Sequence, residues 1–167
     1  CSGLKAYTIK VNNDTLKTEV SEKYACQDAE IQVSVEPGWT NIKWTSQLKG
    51  DLGTSNAISY KVHQTDSVFV TLSNGSGCTI KRKTAIKISK PTLTLAGDNY
   101  KIMNGSEVQL SVSGALEYAW TPATGLSKTD IGNPIASPSS SIQYQVTGYD
   151  SLGCTEKATI SVLVEGA

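Results

Sequence analysis

The sequence predicts an all-β chain of two sandwiches in series, and three observations predict it. Apolar and polar residues alternate in short runs, as where Ile31, Val33 and Val35 interleave with Gln32, Ser34 and Glu36. That period of two belongs to a half-buried strand. Turn chemistry separates the runs, at Asn74-Gly75-Ser76-Gly77, Asn104-Gly105 and Asp150-Ser151-Leu152-Gly153. The chain also repeats itself. Trp44 recurs as Trp120 and Gly77-Cys78-Thr79 as Gly153-Cys154-Thr155, both shifted by 76, while Glu30-Ile31-Gln32-Val33-Ser34-Val35 returns shifted by 77 as Glu107-Val108-Gln109-Leu110-Ser111-Val112. Three landmarks kept in one order define a repeat architecture.

Taken in order, residues 1–11 read as the last strand of a preceding repeat or an N-terminal extension. Cys1 stands 77 positions before Cys78, and Ile9 and Val11 match Ile86 and Ile88. The competing reading of Cys1 is a lipidated start, but the strand-like run from Leu4 to Val11 leaves little room for the usual polar spacer. Residues 12–90 form the first repeat. Its apolar stripes are Ile31-Val33-Val35, Ile58-Tyr60-Val62, Val68-Val70-Leu72 and Ile86-Ile88. Lys90-Pro91 marks a linker, and residues 91–167 form the second repeat, with Val108-Leu110-Val112, Tyr144-Val146 and Ile160-Val162-Val164. Roughly seven short strands in about 76 residues predict two tandem immunoglobulin-like antiparallel β-sandwiches. Trp44 and Trp120 fall on the third strand, where such sandwiches bury an indole between the sheets.

Composition narrows the function. The 15 basic and 15 acidic residues balance, so no electrostatic field invites nucleic acid or an anionic membrane. No apolar run approaches the roughly 20 residues of a spanning helix. The four cysteines lack the close spacing of a zinc site, and one histidine cannot complete one. Structural disulfides formed outside the reducing cytosol are the better reading. Cys26 precedes the second strand and Cys78 opens the last, so a Cys26–Cys78 bridge is expected. In the loop-entropy picture it would stabilise the first repeat by roughly 4 kcal/mol. The second repeat has Ile102 or Met103 where the first has Cys26, which leaves Cys154, like Cys1, unpaired or intermolecular.

The second repeat carries Tyr118-Ala119-Trp120-Thr121-Pro122, Thr124-Gly125-Leu126-Ser127, Ile131-Gly132-Asn133-Pro134-Ile135-Ala136-Ser137-Pro138 and Tyr144-Gln145-Val146-Thr147-Gly148-Tyr149-Asp150 ahead of Gly153-Cys154-Thr155. This run resembles the Ig-like or PKD-like repeats of large Bacteroidetes surface proteins, among them gliding-motility-associated adhesins and cargo of the type IX secretion system. The PKD-type Trp-x-Phe-Gly-Asp-Gly motif is absent, so Ig-like is the apter description. The resemblance implies an extracellular or outer-surface location, other repeats of the same protein as neighbours, and contact with secretion machinery. It also implies O-glycosylation where Asp precedes Ser or Thr and an apolar residue follows, at Thr15, Ser67 and Ser151.

Catalytic chemistry is not expected. His63 lies on the outward phase of its strand, and no nucleophile elbow, phosphate loop or metal-binding histidine cluster is present. Glu30 and Glu107 match through repeat ancestry rather than as a hydrolytic pair. Asp98, Asp130 and Asp150 read as loop caps rather than calcium ligands. Neither a cofactor nor a metal is expected. Trp39, in Pro37-Gly38-Trp39-Thr40-Asn41, is the candidate ligand contact, since an exposed indole stacks on a sugar or a protein partner; the plainer alternative is a lid on the open end of the sandwich. Phe69 and Tyr149 carry less weight. Two functions follow: a structural and adhesive repeat, or a carbohydrate- or protein-binding module attached to a larger secreted protein. A third is assembly of copies through the opening strand, with covalent links at Cys1 and Cys154.

Overall fold

The computed structural model describes residues 9–11, 14–16, 20–75, 77 and 79–166, with side chains from residue 22 onward. Every regular element among them is a strand. The chain divides into two compact units, the first ending at Ile88 and the second beginning at Ser89.

The first unit comprises β1 (Ile9–Val11), β2 (Asp14–Leu16), β3 (Val20–Cys26), β4 (Ala29–Val35), β5 (Asn41–Ser46), β6 (Gly50–Gly53), β7 (Ala57–Val62), β8 (Asp66–Ser73) and β9 (Thr79–Ser89). One sheet runs β2-β1-β4-β7, the other β3-β9-β8-β5-β6. The alternation in β4 places Ile31, Val33 and Val35 on the inner face, against Trp44, Val68, Val70, Leu72 and Ile86 of the facing sheet. Gln32 points to solvent and Ser34 is half-buried. Residues 9–11, expected as the last strand of a preceding repeat or an N-terminal extension, form β1, which lies antiparallel on the edge of β4, with Ile9 opposite Val35 and Val11 opposite Val33. The physical reason is that alternation fits a strand to any half-buried edge, and β4 offers unpaired backbone groups on that side.

The second unit comprises β10 (Thr94–Leu95), β11 (Asn99–Met103), β12 (Val108–Gln109), β13 (Val112–Ser113), β14 (Glu117–Thr121), β15 (Ile135–Ala136), β16 (Ile142–Tyr149) and β17 (Thr155–Glu165). Its main sheet is β11-β17-β16-β14, with β11 parallel to β17. Two short ribbons, β10-β13 and β12-β15, replace the second sheet. The continuous strand expected across residues 107–112 is thus split. Leu110 and Val112 donate their N–H groups to the Pro134 and Gly132 carbonyls at 2.9 and 2.7 Å. Pro134 has no N–H to return a ladder bond, and Gly132 sits so close that a Cβ there would stand 2.5 Å from the Val112 carbonyl oxygen. The core forms regardless, from Leu110, Trp120, Tyr144, Val146 and Ile160.

The two tryptophans show the repeat at atomic detail. Trp44 and Trp120 are 1% and 5% exposed. Each indole donates Nε1–H to a backbone carbonyl eleven residues on, to Ser55 at 2.9 Å and to Ile131 at 2.7 Å. A buried indole needs such a partner, and both copies meet the need at one offset.

Candidate functional site

One candidate site lies in the first unit. It is a cleft of about 230 Å³ formed by Leu48 and Lys49 of the β5–β6 turn, Tyr60, Lys61 and Val62 of β7, the following His63 and Gln64, and Asp66 of β8. Its polar frame starts at Asp66, which is buried. The Asp66 carboxylate accepts a hydrogen bond from Ser46 Oγ and another from its neighbour's backbone, Ser67 N–H, at 2.6 Å. Ser46 Oγ in turn accepts from the Leu48 and Lys49 amides at 3.1 and 2.9 Å, which fixes the turn. Lys49 Nζ donates to the Lys61 carbonyl at 2.7 Å and stands 5.2 Å from the centre of the Tyr60 ring.

The Tyr60 side chain is anomalous within this frame. The residue is 8% exposed, yet its hydroxyl has no hydrogen-bond partner. Burial pushes the phenol above its ordinary range, and the charge of Asp66, which the hydroxyl approaches without a well-formed hydrogen bond, adds to the rise. Tyr144 in the second unit is the counter-example: its hydroxyl donates to the Thr124 carbonyl at 2.6 Å. In the sequence, Tyr60 stands out only as part of an apolar stripe and Asp66 only as part of a tripeptide. A tyrosine on the inward phase of one strand, six positions before an aspartate that opens the next, was the available signal.

The residues singled out from the sequence scatter instead of gathering. Trp39 is half-buried and packs on the first core. His63 is exposed and pairs through Nδ1 with Asp28, itself exposed. Glu30, Glu107, Asp98 and Asp130 are exposed in separate places. Among the described residues no three histidine, cysteine, aspartate or glutamate side chains meet as a metal site. Phe69 is half-buried beneath Lys83, whose ammonium lies 5.7 Å from the ring centre, and Tyr149 is half-buried. Ser67 is buried at 9% exposure in β8, which runs between β9 and β5. Ser151 is exposed in its turn. The side chain of Thr15 lies outside the described residues.

The cysteines also differ from expectation. Cys154 is 2% exposed and disulfide-bonded, not unpaired; its apolar burial at the start of β17 suits a bonded sulfur. Cys26 is disulfide-bonded as well. Cys1 and Cys78 lie outside the described residues. Glu22 and Tyr24 of β3 both reach Lys87, at 2.8 Å to the carboxylate and 5.9 Å to the ring centre.

The turn before β17 is ordered by Asp150. Its carboxylate accepts from the Ser89 hydroxyl at 2.5 Å and from the Leu152 and Cys154 amides at 2.9 and 2.8 Å. The Ser89 hydrogen bond above all holds this carboxyl below its usual range, against an opposing effect of burial, with the Cys154 and Leu152 amides assisting.

Comparison with known proteins supports the fold. No protein-family model matches the chain, and no curated protein sequence matches it. Among solved structures it is similar to the N-terminal eight Ig domains of Down syndrome cell adhesion molecule, with a TM-score of 0.53 and 9% identity, over 96% of this chain and 24% of that one. It also aligns with the insect immune protein hemolin (TM-score 0.46, 13% identity, 87% of this chain and 45% of that one) and with the tandem Ig repeats of Dlar (TM-score 0.35, 13% identity, 96% and 99%). The chain therefore spans about a quarter of the first protein and under half of the second. The fold is an Ig-like β-sandwich, and identities this low carry the fold alone.

Proposed function

We propose that the chain is a non-catalytic structural and adhesive segment of an extracellular or cell-surface protein, of the type found in Bacteroidetes adhesins and type IX secretion cargo. The observation that carries this reading is the serial arrangement of two sandwiches, each with its own core built on a buried, hydrogen-bonded tryptophan. Disulfide-bonded Cys26 and Cys154 favour an oxidising compartment. The matching Ig domains of a cell adhesion molecule agree with an adhesive role. The Bacteroidetes assignment rests on the sequence resemblance of the second repeat, as do the neighbouring repeats, the secretion machinery and a glycan on Ser151 or Thr15. The alternative is a binding module for a carbohydrate or protein.

Beads coated with the chain test the proposal under flow, over bare, glycan-coated and protein-coated surfaces and against one another. Retention or clustering that survives across many surfaces is the expected result. Retention on one glycan alone turns the reading to the alternative, and none at all overturns adhesion.

A further inference from the structure

We propose that the outer face of the β3-β9-β8-β5-β6 sheet in the first unit is a docking surface for an acidic polysaccharide. The inference deepens the adhesive reading by naming the chemistry of its partner, and it rests on that reading for the extracellular setting. The charge balance of the whole chain conceals a separation. Residues 1–88 carry eleven basic and eight acidic side chains and residues 89–167 carry four and seven, a net charge of +3 against −3. A local excess of one sign attracts the other whatever the total. The excess is also concentrated. Alternation sends Trp44, Val70, Ile80 and Ile86 into the core, so Lys43 of β5, Phe69 and Thr71 of β8, and Lys81 and Lys83 of β9 share the opposite face. The register sets Lys43, Thr71 and Lys81 in one row across three strands, and Phe69 beside Lys83 in the next. All three lysines are exposed. Strand spacing places Lys43 about 10 Å from Lys81, and Lys81 about 7 Å from Lys83. Lys81 and Lys83 have no carboxylate partner among the described residues, and Lys43 has only the exposed Asp51, at 3.9 Å.

This grid of separate ammonium groups suits a polymer with repeated negative charges. One small anion cannot span it, and an isolated exposed ion pair is weak, so affinity must come from several pairs at once. Lysine offers point charges for single carboxylates or sulfates, whereas fitted phosphate recognition favours the arginine fork. The neighbouring Arg82 lies on the other phase of β9 and donates to the Lys81 carbonyl at 3.0 Å. Single-stranded nucleic acid needs an open aromatic ring for its bases, but Phe69 is half-buried and the Lys83 ammonium lies 5.7 Å from its centre. That contact instead restrains the ammonium, so less freedom is lost when an anion arrives. A membrane would take inserted apolar side chains, and Thr71 and Phe69 between the lysines are half-buried. Sugar rings bearing a carboxylate or sulfate at every unit or every second unit space their anions on the scale of the grid, and Thr71 adds a hydroxyl between Lys43 and Lys81. The fold does not need this grid. Seventy-six positions on, the same register holds Ala119, Thr147 and Lys157 in one row and Gln145 beside Thr159 in the next, so only Lys81 has a basic counterpart.

Titration of the full, oxidised chain with alginate (a polyuronate), dextran sulfate and uncharged dextran, followed by amide chemical shifts, tests this. At least one acidic polymer is expected to give saturable shifts centred on residues 43, 69–71 and 81–83, and uncharged dextran none. Affinity is expected to fall roughly tenfold between about 50 and about 200 mM salt, as for a few screened ion pairs. Lys81→Gln combined with Lys83→Gln is expected to weaken binding about tenfold or more with thermal unfolding unchanged, since both side chains are exposed. Lys157→Gln in the second unit is expected to change binding less than about twofold, as a lone exposed charge. No saturable shift with either acidic polymer, shifts centred elsewhere, undiminished binding by the paired glutamine variant, an equal loss from Lys157→Gln, or tighter binding to single-stranded DNA or to anionic phospholipid vesicles would each overturn the proposal. Beads still retained under flow by a chain that fails these titrations would leave the adhesive reading standing and remove this one.

Discussion

The two units share a tryptophan and differ in almost everything around it. In the first, two sheets of four and five strands face each other and the strands are continuous. In the second, one four-stranded sheet faces two ribbons of two-residue strands, and much of the covering layer is loop. Yet both bury the indole, and both tie its N–H to the carbonyl eleven positions on. The lesson is that the core needs a wall of side chains at the right depth, not a regular ladder behind it. Prolines and glycines can replace ladder bonds with single bonds such as Leu110 N–H to Pro134 and Val112 N–H to Gly132, provided few buried backbone groups are left unpaired.

That equivalence is most directly broken at the indoles. Trp44→Ala and Trp120→Ala are each expected to cost about 3–5 kcal/mol, each in its own transition when the chain is unfolded in a calorimeter. A much smaller loss for Trp120→Ala would mean that the irregular layer collapses around the cavity and that the second core is not organised as the first. The matching phenylalanine variants remove the indole N–H and leave the Ser55 or Ile131 carbonyl short of a donor, for about 1–3 kcal/mol.

A pair of matched glycines sharpens the contrast. Gly38 and Gly114 stand 76 apart and both have positive φ, at 116° and 98°. A Cβ on Gly38 meets nothing within 4 Å, whereas on Gly114 it would stand 1.8 Å from the Thr92 carbonyl oxygen. Gly38→Ala should therefore cost only backbone strain, about 1–2 kcal/mol. Gly114→Ala adds overpacking of a further 1–3 kcal/mol or so. Equal losses in chemical denaturation would show that the Thr92 segment yields freely.

The smallest expected difference is one of pH. The turns before the last strands close alike, Gly77 N–H to Asn74 O and Gly153 N–H to Asp150 O, both at 3.1 Å. The second has a titratable side chain where the first has an amide. Because the Asp150 pKa is lowered on folding, its contribution is present above the ordinary carboxyl value of about 4 and is lost as pH falls through the lower folded value. Acid titration of the two unfolding transitions should show this loss in the second unit, and Asp150→Asn should remove it. A slope unchanged by that substitution would place the acid sensitivity elsewhere.

How far the sequence revealed this molecule follows from where the information sits. Alternation in β4, β8 and β17 is local, and it placed Ile31, Val33, Val68, Val70, Ile160 and Val162 in the cores. The repeat placed both tryptophans. The break between β12 and β13 was hidden because Val108, Leu110 and Val112 alternate just as a continuous strand does; what interrupts it is the segment on the other side, around Gly132 and Pro134. The burial of Ser67 depends on β9 and β5 flanking β8. The cleft was invisible for the same reason, since it is made by a turn, a strand end and a buried carboxylate from three places in the chain.

The tie from each indole to a carbonyl eleven positions later acts as a ruler. It fixes how much chain can lie between Trp44 and Ser55, or between Trp120 and Ile131, without unseating the core. Adding or removing a residue inside either stretch would therefore shift the carbonyl that the buried indole needs, and the same constraint applies to both copies.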